Sequence, residues 1–445
     1  MSQKVDVTVY IVNRNYENYI IESINSVLKQ TYKNYELIII DDASTDGSKD
    51  LIFRFVNYKK IRLIFNKNRK GLVKNCNIAI RAAKGKYVIR LDADDILKKN
   101  AVELLYKEIS KDKKIGLVFP DYFYINNLGK IIGQQNQNFS NKSKFNSQKV
   151  PHGACSIINK NFLFEVGLYD EKIDRQDGYD LWFKFLDYYK ISHLRKPLFF
   201  YRQHNQNLTK DKKTLLESRY KIFKRNIKKK PNNKKLINCA IIPVRGSSIS
   251  QSCLSMEKYK GKTLLDIMIQ KIIKQKFIKY TIVLTSDKNL LKYLKKKKYK
   301  KIKFYERDLE QSLENRNYRD GIIKAVKSHN IKTDNLFILN FQYPLIDEFY
   351  YEMALTTLKM HNFDKVISVL PDNETHFYKE DKSGLKIISN SRNKLLKLER
   401  DNIFVEAGGI ALENYKSFLS KKNKKKIGKI VIDYNSSKKF ISNDF

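Results

Sequence analysis

Residues 86–95 read Lys86-Tyr87-Val88-Ile89-Arg90-Leu91-Asp92-Ala93-Asp94-Asp95. A run that suits a buried strand ends in three carboxylates within four positions, which gathers negative charge at one edge of a sheet. Like charges this close repel unless a cation joins them. Hard oxygen ligands suit Mg²⁺ or Mn²⁺, which keep open positions for phosphate oxygens. The same residues also suit a solvated acidic turn that caps a helix starting near Ile96, because Asp is a good N-cap. The cluster alone leaves both readings open.

Its surroundings favour a site. Val5, Val7, Val9 and Ile11 alternate as a strand should, and Ile20, Ile21, Ile24, Val27 and Leu28 fall at helical spacing within Glu17–Gln30. Glu36-Leu37-Ile38-Ile39-Ile40 is a continuous apolar run suited to a strand buried on both faces. It ends in Asp41-Asp42-Ala43-Ser44-Thr45-Asp46-Gly47-Ser48, ahead of another helix. This alternation predicts a mostly parallel sheet covered by helices, with ligands beyond the strands' carboxyl ends. Both acidic clusters fall at such ends.

A chain of 445 residues is long enough for two or three domains. Its 88 Lys+Arg against 47 Asp+Glu give a net charge of +41, a field that favours polyanions or anionic lipid surfaces. Lys, Asn, Ile and Tyr are abundant throughout, so much of the lysine reads as ordinary solvated surface. No arginine-rich tract or aromatic-basic motif points to nucleic acid. The cysteines Cys76, Cys155, Cys239 and Cys253 form no C-x-x-C pair, so neither a zinc site nor a disulfide framework is indicated. No apolar signal region or span-length apolar stretch is present, which predicts a reduced, cytoplasmic protein, with peripheral attachment at the inner face of a membrane open to its basic surface. Residues 224–235 are charged, carry Pro231 and read as a basic linker between domains at 1–223 and 236–445.

The order Val9-Tyr10-Ile11-Val12-Asn13-Arg14-Asn15-Tyr16, then Ser26 to Gln30, then Glu36 to Ser48, resembles the family 2 inverting glycosyltransferases with the GT-A fold. Asn66, Gly71, Asn75, Ala83 to Gly85 and the Leu91–Asp95 run continue the pattern over roughly residues 5 to 205. The resemblance implies that Asn13, Asp41, Asp42, Asn75, Asp92 and Asp94 bind the donor, a nucleotide sugar. It also implies a divalent metal, Mn or Mg, held on the donor diphosphate by Asp94, Asp95 and His204, the last from Tyr201-Arg202-Gln203-His204-Asn205. His204 would either ligate the ion or donate to the diphosphate.

Inverting transfer needs neutralisation of the leaving diphosphate and a base for the acceptor hydroxyl on the opposite face of the sugar. The resemblance places that base in Arg175-Gln176-Asp177-Gly178-Tyr179-Asp180-Leu181-Trp182. Aligned on Leu181-Trp182, Asp177 takes the place of the family's Glu and Gly178 that of its Asp. Asp177 is the first candidate; Asp180 is the second, with a helix-start role competing for one of the two. Pro151-His152-Gly153-Ala154-Cys155 corresponds to the segment near the donor sugar, and His152 is a candidate acceptor-side residue. Trp182, the lone tryptophan, reads as core. Asp121–Lys149, polar and Asn-rich, is expected to be an acceptor-side loop.

Cys239 to Ser248 resembles the opening of the acylneuraminate cytidylyltransferases. Gly261-Lys262-Thr263, Thr285-Ser286-Asp287, Asp320, Tyr343-Pro344-Leu345 and Glu406-Ala407-Gly408-Gly409 recur in that family's order over about residues 237 to 440. Together the two resemblances imply an α/β chain of two nucleotide-binding, Rossmann-like α/β/α domains. In the second, charged positions are replaced: Ile249 and Leu254 stand where lysines hold the triphosphate, Ile346 for an arginine, Ala407 for an asparagine, and Asp433-Tyr434-Asn435 for an Asp-x-Asp metal pair. Each lost charge partner costs about 1.5–3 kcal/mol of ligand binding. The expectation is a glycosyltransferase acting on a surface-glycan or lipid-linked acceptor, with an inactive nucleotidyltransferase-like domain behind it. A bifunctional transferase and CMP-acidic-sugar synthetase is the first alternative; a non-catalytic scaffold in glycan assembly is the second.

Overall fold

The computed structural model describes residues 5–135, 152–173, 176–204, 212–228, 236–246, 250, 253–299, 301–312, 318–372, 378–381, 384–387, 403–420 and 425–441. The chain divides into two compact units, one of residues 1–219 with 376–401 and one of residues 220–375 with 402–445. The division falls inside helix Lys212–Lys228, which also takes in the first five residues of the expected linker. Residues 229–235 lie outside the described part.

In the first unit the strands are β1 (Val7–Asn13), β2 (Tyr35–Asp41), β3 (Ile61–Phe65), β4 (Tyr87–Asp92), β5 (Ile96–Leu97), β6 (Ile115–Ile125), β7 (Ile131–Gln135), β8 (Ile157–Asn159) and β9 (Lys190–Arg202). They form one sheet in the order β3-β2-β1-β4-β8-β6-β9-β5, with β7 paired to β6. β3, β2, β1 and β4 run parallel, and β8 is antiparallel to both β4 and β6. Alternating side chains split each central strand between two cores. Val7, Val9, Ile11, Leu37 and Ile39 pack into one, and Tyr10, Ile38 and Ile40 into the other. Burial on both faces is why β2 reads as an unbroken apolar run.

The chain after Asp95 forms β5, and the next helix begins only at Ala101, so the acidic turn does not cap a helix at Ile96. Asp121–Gln135 is also not a loop. Tyr122 to Ile125 extend β6, and the chain turns over Asn126–Lys130 into β7. The aromatic side chains Tyr122 and Tyr124 pack against Tyr201 and stabilise strand over coil there. Residues 136–149 of that expected loop lie outside the described part. Trp182 is 2% exposed and packs edge-on against Phe119, as a core residue.

The second unit holds β10 (Asn238–Pro243), β11 (Lys258–Tyr259), β12 (Lys262–Thr263), β13 (Ile278–Thr285), β14 (Ile302–Glu306), β15 (Asn335–Leu339), β16 (Lys365–Asp372), β19 (Ile403–Asn414) and β20 (Ile427–Val431); the hairpin β17 (Tyr378–Asp381) and β18 (Gly384–Ile387) falls within the range grouped with the first unit. Its main sheet runs β14-β13-β10-β15-β19-β16-β20, with β19 antiparallel to β15 and β16. No described helix is long and apolar enough to cross a membrane.

Candidate active site

Three parallel strand ends and one helix start build the site. At the end of β1, Asn13 donates to Asp41 Oδ1 at 2.9 Å, and Arg14 donates to the carbonyls of Asp42 and Ala43 at 2.7 and 2.9 Å. Asp41 also accepts from the amide and hydroxyl of Ser44. Asp42 accepts from the amides of Lys70 and Gly71 at 2.7 and 2.8 Å and from Asn66 at 3.0 Å. Burial would raise its carboxyl, but these donors, with Asn75, hold it below the usual carboxylate range. Asn75 in turn accepts from Asn66 and donates to the Gly71 carbonyl. Asn13, Asp41, Asp42 and Asn75 therefore stand together as one buried network that fixes the loop over residues 66–71.

The end of β4 carries a second cluster. Arg90 is 7% exposed, and its Nε lies 3.0 Å from Asp92 Oδ1 while its Nη1 pairs with Asp177 at the start of helix Asp177–Leu186. Burial, with the charges of Asp94 and Asp177, pushes Asp92 up to about 6 against the opposing pull of Arg90. The loops bearing Gly153 and Gly178 touch: a Cβ on Gly178 would lie 2.9 Å from the Gly153 Cα. Only two glycines permit that approach, and it holds Asp177 against Arg90.

Asp94 Oδ2 lies 2.8 Å from His204 Nε2, and the His204 ring stacks on Tyr19 at 5.2 Å. Asp95 is fully buried: its Oδ1 accepts from the Arg202 amide at 3.0 Å, and its Oδ2 has no hydrogen-bond partner. Burial, with Asp94 and Asp92 nearby, pushes it well above the carboxylate range. The Arg202 side chain, 1% exposed, bonds the Asp94 carbonyl, the carbonyls of Asn126 and Asn127, and Glu22. His152 Nδ1 accepts from the Ala154 amide at 3.2 Å, which leaves the proton on Nε2. Burial, aided by Arg90, pushes its pKa down to about 4, so the ring is neutral near pH 7.

Asp94 and Asp177 act electrostatically both on Asp92 and on His152, so the structure brings these four together and sets His204 on Asp94. It does not bring Asp180 to them. Asp180 is 1% exposed and pairs with Lys184 one turn along its helix at 3.2 Å. Asp95 faces the β9 backbone rather than Asp94's imidazole partner. Arg90 and Arg202 are the organising residues that sequence reasoning missed; a lone arginine inside the apolar strand 86–91 was the available signal. Among the described residues no group of three or more His, Cys, Asp or Glu forms a metal cage. Asp94 and His204 nevertheless place a hard carboxylate and an imidazole side by side, a donor pair that fits a divalent ion completed by phosphate and water oxygens.

In the second unit, Leu254 and Ile346 are buried core residues. Asp433 is engaged by the Tyr350 hydroxyl at 2.9 Å and the Ser436 amide at 3.0 Å. Ile249 lies outside the described residues.

Residues 8–171 match the family described as Glycosyl transferase family 2. The glycosyltransferase GlyG of Streptococcus pneumoniae is 36% identical over 124 residues, 28% of this chain and 40% of its own length. Chondroitin synthase of Pasteurella multocida is 33% identical over 193 residues, 43% of this chain and 20% of its own. The chain thus spans two fifths or less of these two relatives. An uncharacterized glycosyltransferase of Methanocaldococcus jannaschii is 30% identical over 212 residues, 46% of this chain and 73% of the relative. That match across most of the relative, together with the family match over residues 8–171, which include the β1, β2 and β4 strand ends, means that the chain belongs to glycosyl transferase family 2.

Proposed function

We propose that the first unit transfers a sugar from a nucleotide-sugar donor to a surface-glycan or lipid-linked acceptor, with inversion at the anomeric carbon. The observation that carries this reading is the Arg90-centred cluster, in which Asp92 and Asp177 arrive from different elements at the end of β4. The buried network of Asn13, Asp41, Asp42 and Asn75 shapes the nucleoside side of the pocket. Asp94 and His204 would hold Mn²⁺ or Mg²⁺, which when bound would neutralise charge developing on the leaving diphosphate.

The base is Asp177. The acceptor oxygen bonds to the anomeric carbon on the face opposite the diphosphate, the carbon–phosphate-oxygen bond breaks, and the hydroxyl proton passes to the Asp177 carboxylate. Arg90 pairs with that carboxylate and aims it. Neutral His152, within electrostatic reach of Asp94 and Asp177, offers its Nε2 proton to a sugar hydroxyl. The second unit is nucleotidyltransferase-like and contributes no cytidylyl transfer, because Leu254 and Ile346 bring no charge to a triphosphate. Residues 224–235 join the two, and the chain works in the cytoplasm at the inner membrane face.

The test is a panel of UDP-, GDP-, dTDP- and CMP-sugars assayed for release of the nucleotide with Mn²⁺ or Mg²⁺. Turnover of one donor that falls by about 10²–10⁴ in Asp177→Asn supports the assignment. Turnover unchanged in that variant removes Asp177 from the mechanism.

A further inference from the structure

In the second unit, one helix carries a stripe of lysines without acids. Residues 276–303 hold eleven lysines, no arginine and one acid, Asp287. Asp287 is spent as a cap at the start of helix Lys288–Lys296, where its carboxylate accepts from the amides of Asn289 and Leu290 at 2.9 and 3.1 Å. Leu290, Leu291 and Leu294 are buried, and the helix packs on β13 and β14. Lys288, Lys292, Lys295 and Lys296 recur at i, i+4, i+7 and i+8 spacing and are all exposed, so they line its outward face. Neighbouring Lys297 has an acid, Asp266, at 3.7 Å; the other four pair with none among the described residues.

Helix Ala101–Ile109 shows the contrast. There Lys107 pairs with Glu103, and Lys111, just beyond it, pairs with Glu108, each at 2.6 Å. Like charges one turn apart weaken a helix, and Lys288 also meets the positive end of its dipole. An anionic surface laid against the stripe offsets both penalties. The helix leads from the carboxyl end of β13 back to the amino end of β14. Its last turn therefore lies with exposed Lys279, early in β13, and Lys301, just before β14, away from the carboxyl ends where ligands of such sheets bind.

We propose that the outer face of helix Lys288–Lys296, with Lys279 and Lys301, docks the second unit on an anionic lipid surface. Clustered lysines on an amphipathic helix suit lipid headgroups. The leucine face is already committed to the sheet, so the contact is electrostatic, without insertion among acyl chains. Nucleic acid fits less well: the stretch has no arginine, and the hydroxyls of Tyr293 and Tyr299 are tied to Asp266 at 2.6 Å. The surface rests on the membrane placement proposed above and not on sugar transfer.

The experiment sediments the full chain with vesicles of equal parts phosphatidylglycerol and phosphatidylcholine, against pure phosphatidylcholine. Binding is expected to be at least about tenfold tighter to the anionic vesicles and to be lost near about 1 M salt. The joint change Lys288→Gln, Lys292→Gln, Lys295→Gln and Lys296→Gln weakens it about a hundredfold. Glutamine matches lysine in helix propensity and removes the like-charge pairs, so this variant keeps an unfolding midpoint no lower than wild type. If it does not fold, Lys295→Gln with Lys296→Gln gives about a tenfold loss. A control of equal net charge, Lys59→Gln, Lys84→Gln, Lys99→Gln and Lys113→Gln, keeps binding within about threefold. No binding to anionic vesicles, binding that survives high salt, equal losses in patch and control variants, or tighter binding to a duplex oligonucleotide overturns the surface. Nucleotide release from sugar donors is read in parallel. Vesicle binding without release counts against the transfer reading, and release without vesicle binding counts against the surface.

Discussion

Both units thread six strands the same way: β3-β2-β1-β4-β8-β6 in the first and β14-β13-β10-β15-β19-β16 in the second, each 3-2-1-4-6-5 in chain order, with the same antiparallel strand fifth in line. Their strand ends carry opposite chemistry. After the third strand, Asn66 and Arg307 occupy equivalent places, and each donates its amide to the last residue of the neighbouring strand. Asn66 goes on to bond Asp42 and Asn75, whereas Arg307 pairs with no acid among the described residues. After the fourth strand the first unit has Asp92, Asp94 and Asp95; the second has Asn340 and, further on, buried Ile346. Shared topology thus gives the two units the same set of strand ends, and the side chains alone decide what each can hold.

The comparison breaks most visibly in activity. Asp177→Asn is expected to lower sugar transfer by about 10²–10⁴, while Asp433→Asn in the second unit changes it less than about twofold. Equal losses in a transfer assay would mean that both units take part in the reaction. Stability offers the next contrast. Arg90→Met leaves Asp92 and Asp177 without their cation and is expected to cost about 3–5 kcal/mol in denaturant unfolding. Arg307→Met removes a charge that has no acid partner among the described residues and should cost less than about 1 kcal/mol. A large loss there would show that Arg307 is paired in solution.

A finer probe is Gly178→Ala. The added Cβ meets the Gly153 backbone and displaces Asp177, so transfer should fall about tenfold to a hundredfold with little change in stability. Wild-type activity in this variant would show that the glycine contact does not position the base. The smallest expected signal is pyrophosphate release from CTP and an acidic sugar, which should stay at background. Robust release would restore the second unit as a synthetase.

Much of the first unit was legible in the sequence. The alternation in β1, the apolar run of β2 and the acid-ended β4 all appear where the residue pattern put them. Asp121–Gln135 was misread as loop because its polar residues hid the aromatic run Tyr122–Tyr124, which needs β9 as a partner. Asp180 looked like a second base because sequence spacing does not reveal which face of a helix is buried or that Lys184 stands one turn away.

By itself the sequence determined β1, β2, β4 and the carboxylates at their ends, because periodicity and motif spacing are local properties of the chain. Only the tertiary structure decided which acid meets which base. Arg90 reaches Asp177 across 87 positions, and Asp94 reaches His204 across 110. Those pairings depend on sheet register and on two glycines in contact, and no local pattern encodes either. The same holds for Arg307, an unremarkable surface-like arginine in sequence that folding buries beside another cation.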